Sequence, residues 1–401
     1  MGVSAPALKG RERRTHNSHP HPNPSPQGVG AALKCRNMSD PAAARLTIDL
    51  DALAHNHAVL CAQAPGAEVA PVLKSDAYGL GAGPVARRLW AEGARSFFVA
   101  RLAEGEALRA ELTPDGPATI YVLDGMTEGA GPRLDAAGLT PVLCTLPQLA
   151  AAGEHATATG RTIPVALNID TGMSRQGLTL DETRAIAQAT DRLKGLDVGL
   201  VMSHLGSASE PTNPRKARQL SAFLEASLLF PKARASLAAS AGLFLGPAYQ
   251  FDLVRPGISL FGGGPLEQPD DRLKAVATLT APILDVRHLR PGDILGYGDS
   301  VRIPTSTRVA VVAAGYTDGV IRAAKGAGYA WFAGARRRLL IVNMDILVIE
   351  IGDAPATPGQ HVELLGPNVH LDDLATAGGT VAHEVLVRLS RRAERVYLGE
   401  A

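Results

Sequence analysis

The chain has 401 residues, enough for one large barrel with a smaller partner domain, or for two domains of ordinary size. Its 40 Lys and Arg nearly balance 39 Asp and Glu, so there is no net basic field to hold nucleic acid, and a small-molecule enzyme fits better. The cysteines Cys35, Cys61 and Cys144 have neither metal-ligand spacing nor even pairing, which points to reduced thiols in a cytoplasmic compartment and to no metal site.

Residues 1–44 cluster Pro, His, Asn and Ser with almost no periodic apolar residues, a composition that cannot bury enough surface to fold. They are expected to be a disordered extension, or an over-extended start with Met38 as the initiator. Arg11, Arg13 and Arg14 are not followed by an apolar run of secretory length. The most apolar later stretch, 339–351, is interrupted by Asn343, Asp345 and Glu350 and is too short to span a bilayer, so no membrane partner is expected.

From about residue 67 to 256, short β-branched runs alternate with longer Ala/Leu/Arg/Glu-rich segments of helical period, the pattern of βαβ units. Strands are expected at 69–73, 96–100, 119–123, 141–144, 163–169, 197–203, 235–238 and 253–255. Eight runs would close a (β/α)8 barrel, although a doubly wound open sheet shows much the same alternation. The barrel is favoured because Lys74, Arg175, His204, Ser240 and Gly257 follow or close strand runs, and barrel sites assemble at that rim. After residue 272, short alternating runs at 282–286, 308–313, 339–342, 346–351 and 361–365, punctuated by Gly and Pro, predict a mostly-β C-terminal domain. The expected division is therefore a 1–44 extension, a 45–265 barrel and a 266–401 β domain, with the boundary in the Gly- and Pro-rich stretch 262–272.

Pro71-Val72-Leu73-Lys74-Ser75-Asp76-Ala77-Tyr78-Gly79 puts a lysine at the end of an apolar strand, where desolvation would leave a nucleophilic amine. A lysine snorkelling from a strand end to water reads the same way. Tyr78, followed by Gly79 and Gly81, can offer a hydroxyl to an anion that the glycines let approach.

Taken whole, that string resembles the pyridoxal-phosphate attachment motif of alanine racemases, and the resemblance runs from about residue 46 to 397. It implies a pyridoxal 5'-phosphate enzyme that racemises alanine by two-base proton transfer, supplies D-alanine for peptidoglycan, and works as a homodimer with its active sites at the interface. Lys74 is then the Schiff-base lysine and Tyr78 a ligand of the cofactor phosphate. Asn168-Ile169-Asp170-Thr171-Gly172-Met173-Ser174-Arg175 resembles the family's second motif, whose arginine lies near the cofactor's phenolic oxygen and the substrate; that position is Arg175. By its chemistry alone Arg175 also suits an ordinary surface ion pair.

His204 matches the histidine beside the pyridinium-facing arginine, and Val254-Arg255-Pro256-Gly257-Ile258 supplies that arginine. A guanidinium keeps its proton at working pH, so Arg255 would donate to the ring nitrogen and leave it unprotonated, making the cofactor a poorer electron sink that suits simple proton return. Without the motif context, His204 reads as a satisfied core histidine. Ser240 with the Gly257 and Ile258 N–H groups would complete a phosphate cradle at the last strand ends, although a serine there can simply cap a helix.

In the second domain, Ala314-Gly315-Tyr316-Thr317-Asp318-Gly319 resembles the motif of the family's catalytic tyrosine, contributed across the dimer interface. The resemblance gives the D-face proton to Lys74 and the L-face proton to Tyr316, the opposed acid/bases that racemisation needs. It also gives the backbone N–H of Met344, in Asn343-Met344-Asp345, to the substrate carboxylate. On residue type alone, Tyr316 is a turn-flanking aromatic and Met344 a core residue.

Three positions depart from the family. Asn168 stands where many members carry a carbamylated lysine; an amide cannot hold a carbamate but leaves room for an anion such as chloride beside Arg175. His383 replaces the usual tyrosine near the cofactor phosphate, where imidazole can also donate, and Ala239 replaces the usual asparagine before the phosphate serine. The competing readings are a racemase of broader scope, a barrel decarboxylase using the same cofactor, and a non-catalytic carrier of it. The missing glycine-rich phosphate run weighs against the decarboxylase, and the presence of Tyr316 and Met344 against the carrier.

Overall fold

The computed structural model describes residues 2, 43–112, 118–298, 301–389 and 391–399. Apart from residues 2, 43 and 44, the expected N-terminal extension, with Cys35 and Met38, lies outside the described residues.

The first strand, β1 (Arg45–Asp49), runs into a helix, Leu50–Gln63, whose start is fixed by Asp49 accepting from Ala52 N at 2.8 Å. Eight parallel strands then alternate with helices: β2 (Glu68–Val69), β3 (Ser96–Val99), β4 (Thr119–Val122), β5 (Leu139–Leu143), β6 (Ile163–Asn168), β7 (Leu196–Met202), β8 (Arg234–Ser236) and β9 (Leu253–Val254). Strands β3 to β8 form one sheet in sequence order and β9 pairs with β2, while single bridges Val72–Phe98 and Ala239–Arg255 join the two pieces into a ring. This is the (β/α)8 barrel expected from the alternation, and each expected strand run overlaps one of its strands. Runs such as Ser96–Val99 and Leu139–Leu143 are buried at every position, because a parallel strand has side chains inside the barrel and under the helices. Ala70, Phe98, Tyr121, Val142, Ala166 and Leu200 pack the interior, with Phe98 and Tyr121 stacked at 4.5 Å.

The second domain is a closed, largely antiparallel barrel. Its strands are β10 (Ala277–Leu289), β13 (Thr307–Val312), β14 (Tyr329–Phe332), β15 (Ala335–Val342), β16 (Leu347–Glu350) and β17 (His361–Leu365), with a small finger of β11 (Ile294–Leu295) and β12 (Val301–Arg302). The long β10 is the seam: one end pairs with β17 and the other with β13, across an irregularity between Ile283 and Asp285 that bends the strand. β18 (Glu394–Leu398) extends the sheet through β1.

The boundary is more interlaced than expected. Residues 45–49, assigned to the barrel on sequence grounds, pair instead with β10 and β18, so the second domain is built from both ends of the described chain. Five residues followed at once by a helix give too little alternation to say which sheet they join.

Candidate active site

The chain enters the site between two strand ends, with Val72 N donating to Pro256 O at 2.9 Å and Leu73 N to Phe98 O at 2.8 Å. Lys74 follows. The next four residues, Ser75, Asp76, Ala77 and Tyr78, all have left-handed backbone, with φ of 56°, 56°, 52° and 57°. Each such residue costs about 1–2 kcal/mol when it carries a Cβ, so surrounding contacts must hold the turn. Glu104 does this from the first turn of the helix Leu102–Leu112: it accepts from Ser75 N at 2.9 Å and from Ala100 N at 2.8 Å. Asp76 accepts from Ala82 N at 2.7 Å.

The tight turn drops Tyr78 into the protein. Its buried ring lies 5.2 Å from that of Phe261 and 5.8 Å from that of His383, and burial pushes its phenol pKa up. The hydroxyl fits only because residue 257 is glycine: a Cβ there would sit 2.1 Å from it. Beside it, Ser240 Oγ accepts from Gly257 N at 3.0 Å and Ser259 N at 3.2 Å, and Ile258 opens the short turn Ile258–Phe261. These residues form a small polar cradle at the last two strand ends.

At the floor lies Arg255, 3 % exposed, whose guanidinium reaches Ser236 Oγ, Ser203 O at 2.5 Å and Leu237 O at 3.5 Å. No carboxylate meets it among the described residues. Burial pulls it down to about 9, so it remains charged at neutral pH. His204 is driven to about 3, first by burial and then by Arg255, Arg175, Lys74 and His383, and is neutral. Lys74 is lowered by burial and by Arg175, against an opposing pull from Glu104, which favours a free amine.

Arg175 projects from a loop built on Asp170, whose Oδ1 accepts from Gly172, Met173 and Ser174 N at 2.9, 2.8 and 3.1 Å. Among the described residues no hydrogen bond or ion pair of its guanidinium is seen. Asn168 donates to Gln176 O at 3.0 Å, steadying that loop rather than Arg175 directly. His383, in the helix Ala382–Arg388 of the second domain, reaches the same space; burial and Lys74 lower its pKa against Glu267.

Lys74, Tyr78, Arg175, His204, Ser240, Arg255, Gly257, Ile258 and His383 thus share one cavity of about 600 Å³. Tyr316 and Met344 do not line it. They lie together on adjoining loops of the second domain, with Tyr316 N donating to Asn343 O at 3.0 Å and Thr317 N to Met344 O at 3.2 Å, and are 44 % and 54 % exposed. The sequence reading missed Glu104; its one local signal was an acid in the first turn of a helix, which is common at helix starts. Among the described residues, no helix is long and apolar enough to cross a membrane.

The profile of the alanine racemase N-terminal domain matches residues 48–265, and that of the alanine racemase C-terminal domain matches residues 276–397. The chain is 39 % identical to the catabolic alanine racemase of Agrobacterium fabrum, over 89 % of this chain and 92 % of that one. It is 40 % identical to the alanine racemase of Methylobacterium nodulans, over 88 % and 96 %. Among solved structures, the alanine racemase of Bartonella henselae with covalently bound pyridoxal phosphate superposes with a TM-score of 0.83 at 30 % identity, covering 89 % of this chain and all (100 %) of that one. The biosynthetic alanine racemase of Pseudomonas aeruginosa superposes at 0.81 and 33 % identity, covering 89 % and 99 %. With both domain profiles matched across most of its length, the chain belongs to the alanine racemase family.

Proposed function

We infer that this chain interconverts L- and D-alanine with pyridoxal 5'-phosphate held in the barrel cavity. The observation that carries the reading is a lysine of lowered pKa opening onto the same cavity as a buried arginine with no acid partner among the described residues and a glycine-dependent hydroxyl cradle. These features fit the group: the cradle of Tyr78, Ser240, Gly257 and Ile258, with His383, suits a phosphate, and Arg255 suits a ring nitrogen that accepts. When bound, the cofactor supplies the electron sink that acidifies the Cα–H of an amino acid joined to it.

The chain's own residues then divide the work. Arg255 would donate to the ring nitrogen, with the neutral His204 beside the arginine. Lys74 would hold the cofactor and, once released as an uncharged amine, would take or return the D-face proton. Tyr316 handles the L-face proton, Arg175 orients the substrate, and the Met344 N–H binds its carboxylate. Asn168 carries no carbamate and leaves space for a small anion beside Arg175. Because Tyr316 and Met344 face outward from their own chain, the reading requires a homodimer in which Tyr316 and Met344 of each subunit complete the cavity of the other. It also divides the chain into a barrel and a β domain, and assigns it to the cytoplasm, where D-alanine is made for peptidoglycan.

The test is one incubation of the purified protein with L-alanine in deuterated water, followed by chiral analysis. D-alanine carrying α-deuterium is expected. Release of an amine, or no turnover with the cofactor bound, would overturn the reading.

A further inference from the structure

We propose that Arg392 is a positioning residue that sets the second base and the carboxylate-binding loop with a single guanidinium; the inference rests on the reading of Tyr316 and Met344 given above. Arg392 lies between the helix Ala382–Arg388 and β18, remote in sequence from both loops. Its Nε donates to Asp318 Oδ1 at 2.7 Å, its Nη2 to Asp318 Oδ2 and its Nη1 to Asp345 Oδ1. Asp318 is two residues past Tyr316, and Asp345 is one past Met344.

The loops already touch on one side. Thr317 Oγ1 donates to Met344 O at 2.7 Å, and Gly315 passes so close that a Cβ would fall 2.2 Å from Met344 O. Arg392 fastens the other side. The Asp318 side chain is 2 % exposed and also accepts from Gly315 N at 2.8 Å, and the Arg392 guanidinium is the cation that faces it. The two carboxylates push the Arg392 guanidinium above its ordinary pKa. A lysine would satisfy one acid as a point charge but cannot fork across two. Neither Tyr316 nor Met344 is enclosed by its own chain, so their separation is set by the direct bonds between the two loops on one side and by this fork on the other.

The experiment compares Arg392→Lys and Asp345→Asn with Tyr316→Phe, all with cofactor bound, on D-alanine in deuterated water. Lys74 exchanges the D-face proton by itself, whereas inversion needs Tyr316 in register. Arg392→Lys should lower racemisation roughly a hundredfold, the effect of about 1 Å of misplacement, and leave α-deuterium entry into D-alanine within a few-fold. Asp345→Asn, which frees only the Met344 arm, should raise KM for alanine by about threefold to tenfold, with a smaller effect on kcat. In the cofactor-free protein, amides of 315–319 and 343–346 should exchange faster in Arg392→Lys, while those of 74–80 keep their rates.

Loss of exchange and racemisation in equal measure, or no change in either, overturns the inference. If Tyr316→Phe uncouples exchange from racemisation and Arg392→Lys does not, the inference alone fails. If Tyr316→Phe racemises normally, the second-base reading fails and the inference goes with it. Should Arg392→Lys not fold, an unchanged KM in Asp345→Asn is enough to overturn the proposal.

Discussion

The surroundings of Lys74 and of Tyr316 are built on opposite plans. Lys74 sits in an enclosed rim: four left-handed residues follow it, Glu104 grips the turn, and burial and Arg175 lower its pKa. Tyr316 lies on an open loop, 44 % exposed, held from behind by backbone bonds to the Met344 loop and by Arg392. In the proposed function, one chain finishes the half of the site that keeps an amine uncharged and grips the cofactor. The half that would meet the substrate from the opposite face is left open on that chain. Desolvation needs walls that one barrel supplies by itself. An opposed base needs a second direction of approach, which under the proposed dimer a neighbouring subunit would supply more readily than the strand ends that would carry the first base.

The sharpest way to break this contrast is subunit mixing. Lys74→Ala and Tyr316→Phe homodimers should each be nearly inactive, and Lys74→Ala should also lose the visible absorbance of a lysine-bound cofactor. A borohydride-reducible lysine adduct persisting in Lys74→Ala would put the cofactor on another lysine. Exchange of subunits between the two variants makes about half the dimers mixed, each with one intact site, so roughly a quarter of wild-type activity should return. Verified heterodimers without recovery would place both bases in one subunit.

A matched pair of glycine substitutions separates the two halves more finely. Gly257→Ala puts a Cβ 2.1 Å from the Tyr78 hydroxyl and should expel it from the cradle. Losing one hydrogen bond of about 1–3 kcal/mol weakens cofactor binding roughly tenfold to a hundredfold, measured by equilibrium dialysis. Gly315→Ala puts a Cβ 2.2 Å from Met344 O and should pry the outer loops apart, cutting kcat while cofactor affinity stays near wild type. Equal damage to cofactor affinity in both variants would erase the distinction.

The same contrast explains what was readable in the sequence. The barrel announced itself because β-branched runs of three to seven residues recur between helical segments, and because polar residues fall where those runs end. Lys74 was legible as an amine at an apolar strand end, but only the surrounding motif separated it from a snorkelling lysine. Tyr316 was legible by resemblance alone, since an exposed tyrosine on a loop has no local signature. Pairings that join distant parts of the chain were not legible: β1 with β18 spans nearly the whole described chain, and Arg392 meets Asp318 and Asp345 across at least four intervening elements. Nor was the left-handed turn, because of Ser, Asp, Ala and Tyr only Asp visits that backbone with any ease, and four such residues in a row adopt it here under tertiary constraint.

The smallest expected effect is on stability, and it belongs to the enclosed half alone. His204 is held neutral, down to about 3, by burial and then by Arg255, Arg175, Lys74 and His383, whereas in the unfolded chain it titrates near the ordinary imidazole value of 6.5. Between those values the unfolded state binds a proton that the folded state refuses, so unfolding is favoured as pH falls through 6.5 and the penalty grows until about 3. At pH 5 the gap from 6.5 amounts to about 2 kcal/mol. His204→Gln removes the titrating group, so urea unfolding of the cofactor-free protein, at fixed protein concentration, should lose less stability between pH 7 and pH 5 than the parent does. Tyr316→Phe, on the open loop, should keep the parent's slope. A His204→Gln protein with the parent's slope would mean that the imidazole takes up its proton inside the fold, and that the floor of the cavity tolerates one more positive charge beside Arg255.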